Sequence, residues 1–432
     1  MNSSLIIGVL ISLFLPLQWS IGELYQEKTE CDHPPLVLIH GFLASGDTYE
    51  QQALRFVANG FCADRIFTFD WNSVGRQGSM TALTTFIEEV LLQTSAEKIY
   101  LAGHSAGSGL SFNYMSDSNR AKLIEAYVHL AGRPMDILPG PEGMEIRTMN
   151  IFSDNDLIVR GDNIPGAENI RFENQDHYQV ATSKESFAAM FKFFTGKEAK
   201  TTSVLPSDAD WVSISGKVLT LGENQGQVGA TISIYSLYPE TAARVNANPD
   251  TLLTVDERGN WGPFSAQNGI PYELVVDPME ENSRSIHYYR TPFVTDNQFV
   301  YLRTLPSPSS LAGMMLSGLP RDDEQAVVAI FASQQAVIHG RDELRINDFE
   351  LSTPEWATPT GSNIAWFLYD ANGNQKSDLN SIPTFAMAPF LMGVDLFIPA
   401  DSSKTQRVEF NGQTLSFQSR KSNSEGIIVL VF

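Results

Sequence analysis

Five residues constrain this chain more than any others: Gly103-His104-Ser105-Ala106-Gly107. They follow the apolar, β-forming run Ile99-Tyr100-Leu101-Ala102 and lead into a helix-forming run, Gly107–Met115. Gly-x-Ser-x-Gly between a strand and a helix is the pattern of a nucleophile elbow. The turn is so tight that the flanking positions have no room for side chains. The start of the following helix favours developing negative charge. Taken alone the motif is weak, since chance supplies roughly 0.15 copies in a chain of this length at ordinary glycine usage. Its strand-and-helix context makes it informative.

The neighbouring segments repeat that context. Strand-like runs fall at Leu36–His40, Ile66–Trp71, Ile99–Ala102, Ala126–Leu130 and Thr148–Phe152. Helix-like runs fall at Glu50–Asn59, Met80–Thr94, Gly107–Met115 and Ser183–Phe194. Strand alternating with helix at this spacing predicts a mostly parallel sheet with helices on both faces. The last helix opens on Thr182-Ser183-Lys184-Glu185, a capping-box pattern, and stops at Gly196. This α/β domain is expected over residues 23–200.

After Lys197 the pattern changes. Glu198–Asp208 is polar and reads as a linker. Short alternating runs follow: Trp211–Val218, Ala230–Tyr235, Leu252–Val255 and Tyr272–Val276. Turn residues divide them, as at Asp256-Glu257-Arg258-Gly259-Asn260. The expectation is an all-β C-terminal region of two sandwich-like or barrel-like modules, at 205–280 and 281–432. The 432 residues carry a prior of two or three domains.

Composition narrows the partners. Fifty acidic against 29 basic residues give a net charge of −21. A phosphate backbone would be repelled, so nucleic acid is excluded as the expected partner. At the N-terminus, Leu5–Leu17 is a mostly apolar run of signal-peptide length, too short for a membrane span. Ser20 and Gly22 suit cleavage after Gly22, although no Lys or Arg precedes the run. Residues 1–22 are therefore expected to be a signal peptide, and the mature chain secreted, periplasmic or at the cell surface. An uncleaved anchor is the alternative. Cys31 and Cys62 suit an oxidising compartment. A bond between them would contribute about 3–4 kcal/mol by chain entropy, and two free thiols remain the other reading. Two cysteines exclude a disulfide scaffold and a four-thiolate zinc site.

A nucleophilic serine needs a base, and there are seven histidines. His33 precedes the core strands. His40 and His104 lie inside glycine motifs, where packing or local bonding is expected, and His129 ends a strand run. His287 and His339 belong to the β region. His177, in Asn174-Gln175-Asp176-His177-Tyr178, falls in the loop before the last helix of the first domain. The order serine, acid, histidine makes it the expected base. The acid then lies between 105 and 177 at a strand end. Asp156 in Ser153-Asp154-Asn155-Asp156 is the first choice and Asp136 the second, with Asp162 a weaker option. Ala106 N–H and an amide of His40-Gly41-Phe42-Leu43 would form the oxyanion hole. Phe42 is preferred there, with Leu43 in reserve.

These residues also carry a resemblance. Leu36-Val37-Leu38-Ile39-His40-Gly41-Phe42, the Gly103–Gly107 elbow and Asp176-His177 resemble the α/β-hydrolase lipases and carboxylesterases. Gln52–Gly60 and His287–Val294 are similar to segments of archaeal lipases with an appended C-terminal β domain. The resemblance spans most of the mature chain. It implies hydrolysis of apolar esters without metal or organic cofactor, the β half assisting lipid or interface binding. Two departures stand out. No long insertion separates Ile66–Trp71 from the elbow strand, so a large helical lid is not expected, and the acid position is variable in such lipases. Two rival readings remain: a polyester depolymerase, and a surface interaction protein on a dead hydrolase scaffold.

Other signals have plainer readings. Asp370, Asn372, Asn374 and Asp378 offer oxygens at calcium-loop spacing. The glycine is at position four and Ser381 stands at position twelve, so an Asx-rich turn competes with calcium. Arg160-Gly161-Asp162 reads as a turn. Phe42, Leu43, Met135, Ile137 and Leu138 could line an acyl pocket or small lid, with Met135–Met144 as its cover, or could equally be ordinary loop packing. Oligomeric state is not legible.

Overall fold

The computed structural model describes residues 31, 33–280, 283–387 and 389–432. The expected signal peptide and its cleavage site lie outside the described residues. His33–Phe432 forms one compact unit. No described helix is long and apolar enough to cross a membrane. Both cysteines are disulfide-bonded.

The first part of the unit is a six-stranded parallel sheet. Its strands are β1 (Leu36–Ile39), β2 (Ile66–Phe69), β3 (Ile99–His104), β4 (Ile124–Leu130), β5 (Thr148–Ser153) and β6 (Glu168–Phe172), ordered β2-β1-β3-β4-β5-β6. The helices are α1 (Glu50–Ala58), α2 (Ser79–Thr94), α3 (Ala106–Met115), α4 (Ser118–Ala121), α5 (Gln179–Thr182) and α6 (Lys184–Thr195). Alternation along β1 shows why both faces are covered. Leu36 and Leu38 pack with Phe56 of α1 and Phe187 and Phe191 of α6. Val37 and Ile39 pack with Leu83 and Ile87 of α2 and Tyr114 of α3. A parallel strand buried on both faces needs such a continuous apolar run. Ser183 caps α6 by accepting from Ser186 N–H, and Gly196 ends it in the left-handed region. β6 was not expected, because Glu168-Asn169-Ile170-Arg171-Phe172 is polar at an exposed sheet edge.

The second part is built from β7 (Trp211–Thr220), β8 (Thr231–Ser236), β9 (Thr251–Thr254), β10 (Asn260–Gln267), β11 (Tyr272–Asp277), β12 (Ile286–Arg290) and β13 (Leu302–Thr304). After helix α7 (Leu311–Leu316) come β14 (Val328–Phe331), β15 (Leu344–Ile346), β16 (Phe349–Glu350), β17 (Ala365–Tyr369), β18 (Leu391–Asp395), β19 (Thr405–Phe410), β20 (Gln413–Gln418) and β21 (Ile427–Val431). One eight-stranded sheet runs β18-β17-β14-β21-β12-β11-β8-β9. It draws strands from both sides of residue 281, so the expected boundary there falls inside a continuous sheet. The join is the C-terminal strand, β21, which pairs in parallel with β12 on one edge and β14 on the other.

That sheet is the middle of three β layers. On one face, Leu274, Ala329 and Val429 pack against Ile214, Trp261 and Leu302 of the sheet β10-β7-β13. On the other, Val328, Ile330 and Ile428 pack against Leu344, Val408 and Phe417 of the sheet β16-β15-β19-β20. The two expected modules therefore share their central layer, and each outer sheet supplies one core.

Charged pairs join the α/β and β parts. Glu50 at the start of α1 accepts from Arg290 Nη2 (2.5 Å) and Asn297 Nδ2 (2.6 Å). Asp47 pairs with Arg303. Asp70, just after β2, accepts from Lys217 Nζ at 2.5 Å and from Gly46 N–H at 2.7 Å. The Asp70 side chain is 6 % exposed and that of Lys217 25 %. Removing one partner of a buried pair leaves the other charge without compensation. Lys217→Met is expected to lower stability by about 3 kcal/mol, read as a lower midpoint in urea unfolding. An unchanged midpoint would mean that solvent already screens Asp70.

Candidate active site

The elbow forms as its glycines require. Ser105 sits between β3 and α3 at φ 55°, ψ −117°. Its N–H donates to Leu130 O on β4 (2.9 Å). A Cβ on Gly107 would lie 2.5 Å from the carbonyl oxygens of both Ile39 and His40. One on Gly103 would lie 2.6 Å from Ser111 Oγ. Helix α3 can thus approach the ends of β1 and β3 only because those side chains are missing.

The acid and base come from the ends of β5 and β6. Asp156 follows β5 and is 1 % exposed; His177 follows β6 and is 2 % exposed. His177 Nδ1 stands 2.7 Å from Asp156 Oδ2. The other carboxylate oxygen accepts from Ile158 N–H and Val159 N–H, both at 2.9 Å. Three donors therefore fix this carboxylate. The rival acids are elsewhere: Asp136 is exposed, Asp154 pairs with Arg171 on the surface, and Asp162 caps its own turn. His177 Nε2 is buried and makes no hydrogen bond within the protein. It lines the same cavity as Ser105.

The loop after β1 carries the candidate oxyanion amide. His40 Nδ1 donates to Gly41 O (2.8 Å), while its Nε2 accepts from Trp71 N–H (3.2 Å). Burial holds the His40 pKa down at about 4, so the ring stays neutral. Leu43 N–H donates to Ser73 Oγ (2.9 Å). That bond occupies the amide kept in reserve and leaves Phe42 N–H as the candidate beside Ala106 N–H. Phe42 and Leu43 both line the cavity.

The remaining histidines are structural, as expected. His129 bridges Tyr127 Oη and Arg133 O, and burial holds it neutral, with a pKa of about 4. His104 Nε2 lies 3.0 Å from His177 O. A carbonyl only accepts, so His104 carries its proton on Nε2. His287 pairs with buried Glu273, which is held well below the ordinary glutamate range despite its burial by His287, Arg420 and Arg244. His339 contacts Ser352 O, and His33 stacks on Phe61.

The cavity walls were not legible in the sequence. Met135, Ile137 and Leu138, read either as pocket residues or as ordinary loop packing, are not among its lining residues, and Ile137 is 65 % exposed. The β region takes their place. Ala312, Met315 and Leu316 of α7 line the cavity with Leu221, Phe331, Ile364 and Leu391. Phe390, at φ 76°, lies parallel to the His177 ring with centroids 5.8 Å apart. These residues lie 100 to 300 positions from Ser105, so no local pattern marks them. Among the other signals, Asp370 is spent on a turn, accepting from the N–H groups of Gly373, Asn374 and Gln375. Asn372 and Asn374 donate to Asp378.

Comparison with known proteins agrees with this geometry. Residues 34–168 match the family model described as alpha/beta hydrolase fold. Residues 210–306 match the lipase C-terminal domain, and residues 328–426 a further C-terminal domain model. The chain has an α/β-hydrolase first part and a β-rich C-terminal region that matches a lipase C-terminal domain. Among solved structures, a CIB-like hydrolase from Thermoplasma acidophilum is 14 % identical, covering 39 % of this chain and 89 % of its own, with a TM-score of 0.31. The mature lipase BlEst2 of Bacillus licheniformis is 13 % identical, covering 39 % and 95 %, at 0.32. The esterase EaEST of Exiguobacterium antarcticum is 14 % identical, covering 38 % and 92 %, at 0.30. Likenesses this distant do not bear on the substrate.

Ser105 is a non-glycine residue in a backbone region that glycine favours. Such positions cost on the order of 1–3 kcal/mol. Ser105→Gly is expected to raise the thermal midpoint, by about 1 kcal/mol of stability once the glycine's added unfolded-state entropy is subtracted. A lowered midpoint would show that the elbow holds no strain.

Proposed function

We propose that the protein is an exported serine ester hydrolase that cleaves apolar carboxylic esters through an acyl-enzyme on Ser105. One observation carries this reading. The elbow serine and an unbonded imidazole nitrogen, backed by a buried carboxylate, open onto one apolar cavity.

The steps follow from those groups. The ester carbonyl lies against Ser105, and His177 Nε2 takes the hydroxyl proton as Oγ attacks. Asp156 keeps the Nδ1 proton in place and stabilises the imidazolium. The N–H groups of Phe42 and Ala106 hold the oxyanion. His177 then gives its proton to the departing alcohol. Water attacks the acyl-enzyme by the same route and releases the acid. No metal or organic cofactor takes part.

The cavity supports an apolar acyl group, and helix α7 supports delivery from a lipid interface. Its inward residues Ala312, Met315 and Leu316 line the cavity, while Leu311 and Met314 are 45 % and 55 % exposed. The disulfide-bonded cysteines fit an exported chain.

The test is a chain-length profile of the chain from Glu23 onward, with Ser105→Ala as the blank. A fluorophosphonate is expected to label the wild type once, at Ser105, and the variant not at all. Hydrolysis of emulsified long-chain triglycerides would identify a lipase. A maximum on short soluble esters, with emulsions ignored, would identify a carboxylesterase. Polyester film as the sole substrate would favour a depolymerase, and no labelling would leave only an interaction role.

A further inference from the structure

The catalytic groups all come from the α/β part, but the loops that carry two of them are tied to the β region. The base loop is held beside His177. Asp176, 2 % exposed, accepts at Oδ1 from Tyr178 N–H and Gln179 N–H, both at 2.9 Å. Its other oxygen accepts from Ala336 N–H (3.2 Å) and Arg341 Nη2 (2.8 Å), both on the loop between β14 and β15. Arg341 Nη1 also donates to Gln179 Oε1 (2.9 Å), which in turn accepts from Asp176 N–H (3.1 Å). One guanidinium therefore grips the chain on both sides of the base. Its third contact, Nε to Asp342 Oδ2 at 2.9 Å, anchors it in its own loop. Burial pushes the Asp176 carboxyl up, against the pull of Arg341 and of the Gln179 and Tyr178 amides.

The oxyanion loop is held in the same manner. Asn224, in the turn after β7, donates through Nδ2 to Ala44 O (2.8 Å), Trp71 O (2.9 Å) and His40 Nε2 (3.2 Å). Two carbonyls and the unprotonated His40 Nε2, which also accepts from Trp71 N–H, share the two protons of one amide. Those contacts tie the two ends of the loop that presents Phe42 N–H to the strand end after β2.

We infer that Arg341 and Asn224 are positioning residues of the proposed reaction: Arg341 sets the imidazole of His177 through Asp176 and Gln179, and Asn224 sets the oxyanion amide through the 40–44 loop. The hydrolase fold then does not complete its own site; the β region does. This rests on the assignment of Ser105 and His177 made above. Displacements near 1 Å at a reacting centre cost up to roughly a hundredfold in rate, so small shifts of either loop are enough.

The experiment uses the full chain and two readouts. Active-site titration with a fluorophosphonate counts competent sites, and the labelling rate constant reports how well each site works. Arg341→Met and Asn224→Ala are expected to titrate to the wild-type stoichiometry and to label roughly ten- to a hundredfold more slowly. On a soluble short ester, kcat falls and KM does not. Arg341→Lys recovers part of the rate, because an ammonium reaches Asp176 but cannot also grip Gln179. A purely structural role gives the opposite pattern: fewer titratable sites, each at the wild-type rate, and that result overturns the inference. If Arg341→Met does not fold, Arg341→Lys and Asn224→Ala decide alone by the same two readouts. Absence of label on Ser105 in the wild type would sink the proposed function itself, and this inference with it. Normal wild-type labelling with unchanged variants would sink the inference only.

Discussion

The buried contact between Asp156 and His177 sets the terms for the rest of the molecule. A carboxylate at 1 % exposure is tolerated only when its oxygens are filled by donors. Here the imidazole fills one, and two backbone amides of its own turn fill the other. The turn must therefore close directly after β5, and the loop after β6 must bring His177 back across it. Neighbouring parallel strands deliver both loops to one edge of the sheet, where β3 delivers Ser105. The order β3-β4-β5-β6 is what places serine, acid and base in one row.

The β region closes that row. Between β2 and β3 the sequence has room for α2 and for no large helical insertion. The apolar wall comes instead from α7, Phe331, Ile364 and Phe390. Such a wall works only if the two parts dock in one register. The pairs Asp47–Arg303, Glu50–Arg290 and Asp70–Lys217 supply that register. Buried ion pairs contribute little net stability once desolvation is counted. Their value is that a shifted docking would leave several charges buried and unmatched. Specificity of placement, more than strength, accounts for their number at this interface.

What was legible in the sequence follows the range of the interactions. The elbow, the strand and helix runs and the capping box at Ser183 are local, and each lies within a residue or two of its expected bounds. Asp156 and His177 were legible because chain order and strand ends restrict the choices to a few loops. Their partners across the interface were not. Asn224 lies at φ 56° in the turn after β7, and Arg341 in a loop whose pattern marks nothing. The apolar stretch after β4 left Met135, Ile137 and Leu138 between pocket and loop packing, and they do not line the cavity. The division of the β region at 281 failed for a related reason. β21 pairs with β12 and β14 across more than 90 residues, and alternating strand patterns do not say which strands will meet.

The two histidines beside the site show how the charge is confined to one ring. His104 and His177 have centroids 4.8 Å apart, too close for both to carry a proton cheaply. Burial, reinforced by His177, pushes the His104 pKa well below that of a free imidazole. His104 therefore stays neutral, with its one proton committed to His177 O. Its bare Nδ1 faces Gly41, where a Cβ would approach to 3.1 Å. His40 is silenced the same way, by burial and by donors on its Nε2. Of the three imidazoles around Ser105, His104 and His177 each leave one nitrogen without a hydrogen bond, Nδ1 of His104 against Gly41 and Nε2 of His177 at the cavity. In the proposed reaction the neutral pair does the holding, and the proton released by Ser105 goes to the imidazole backed by Asp156.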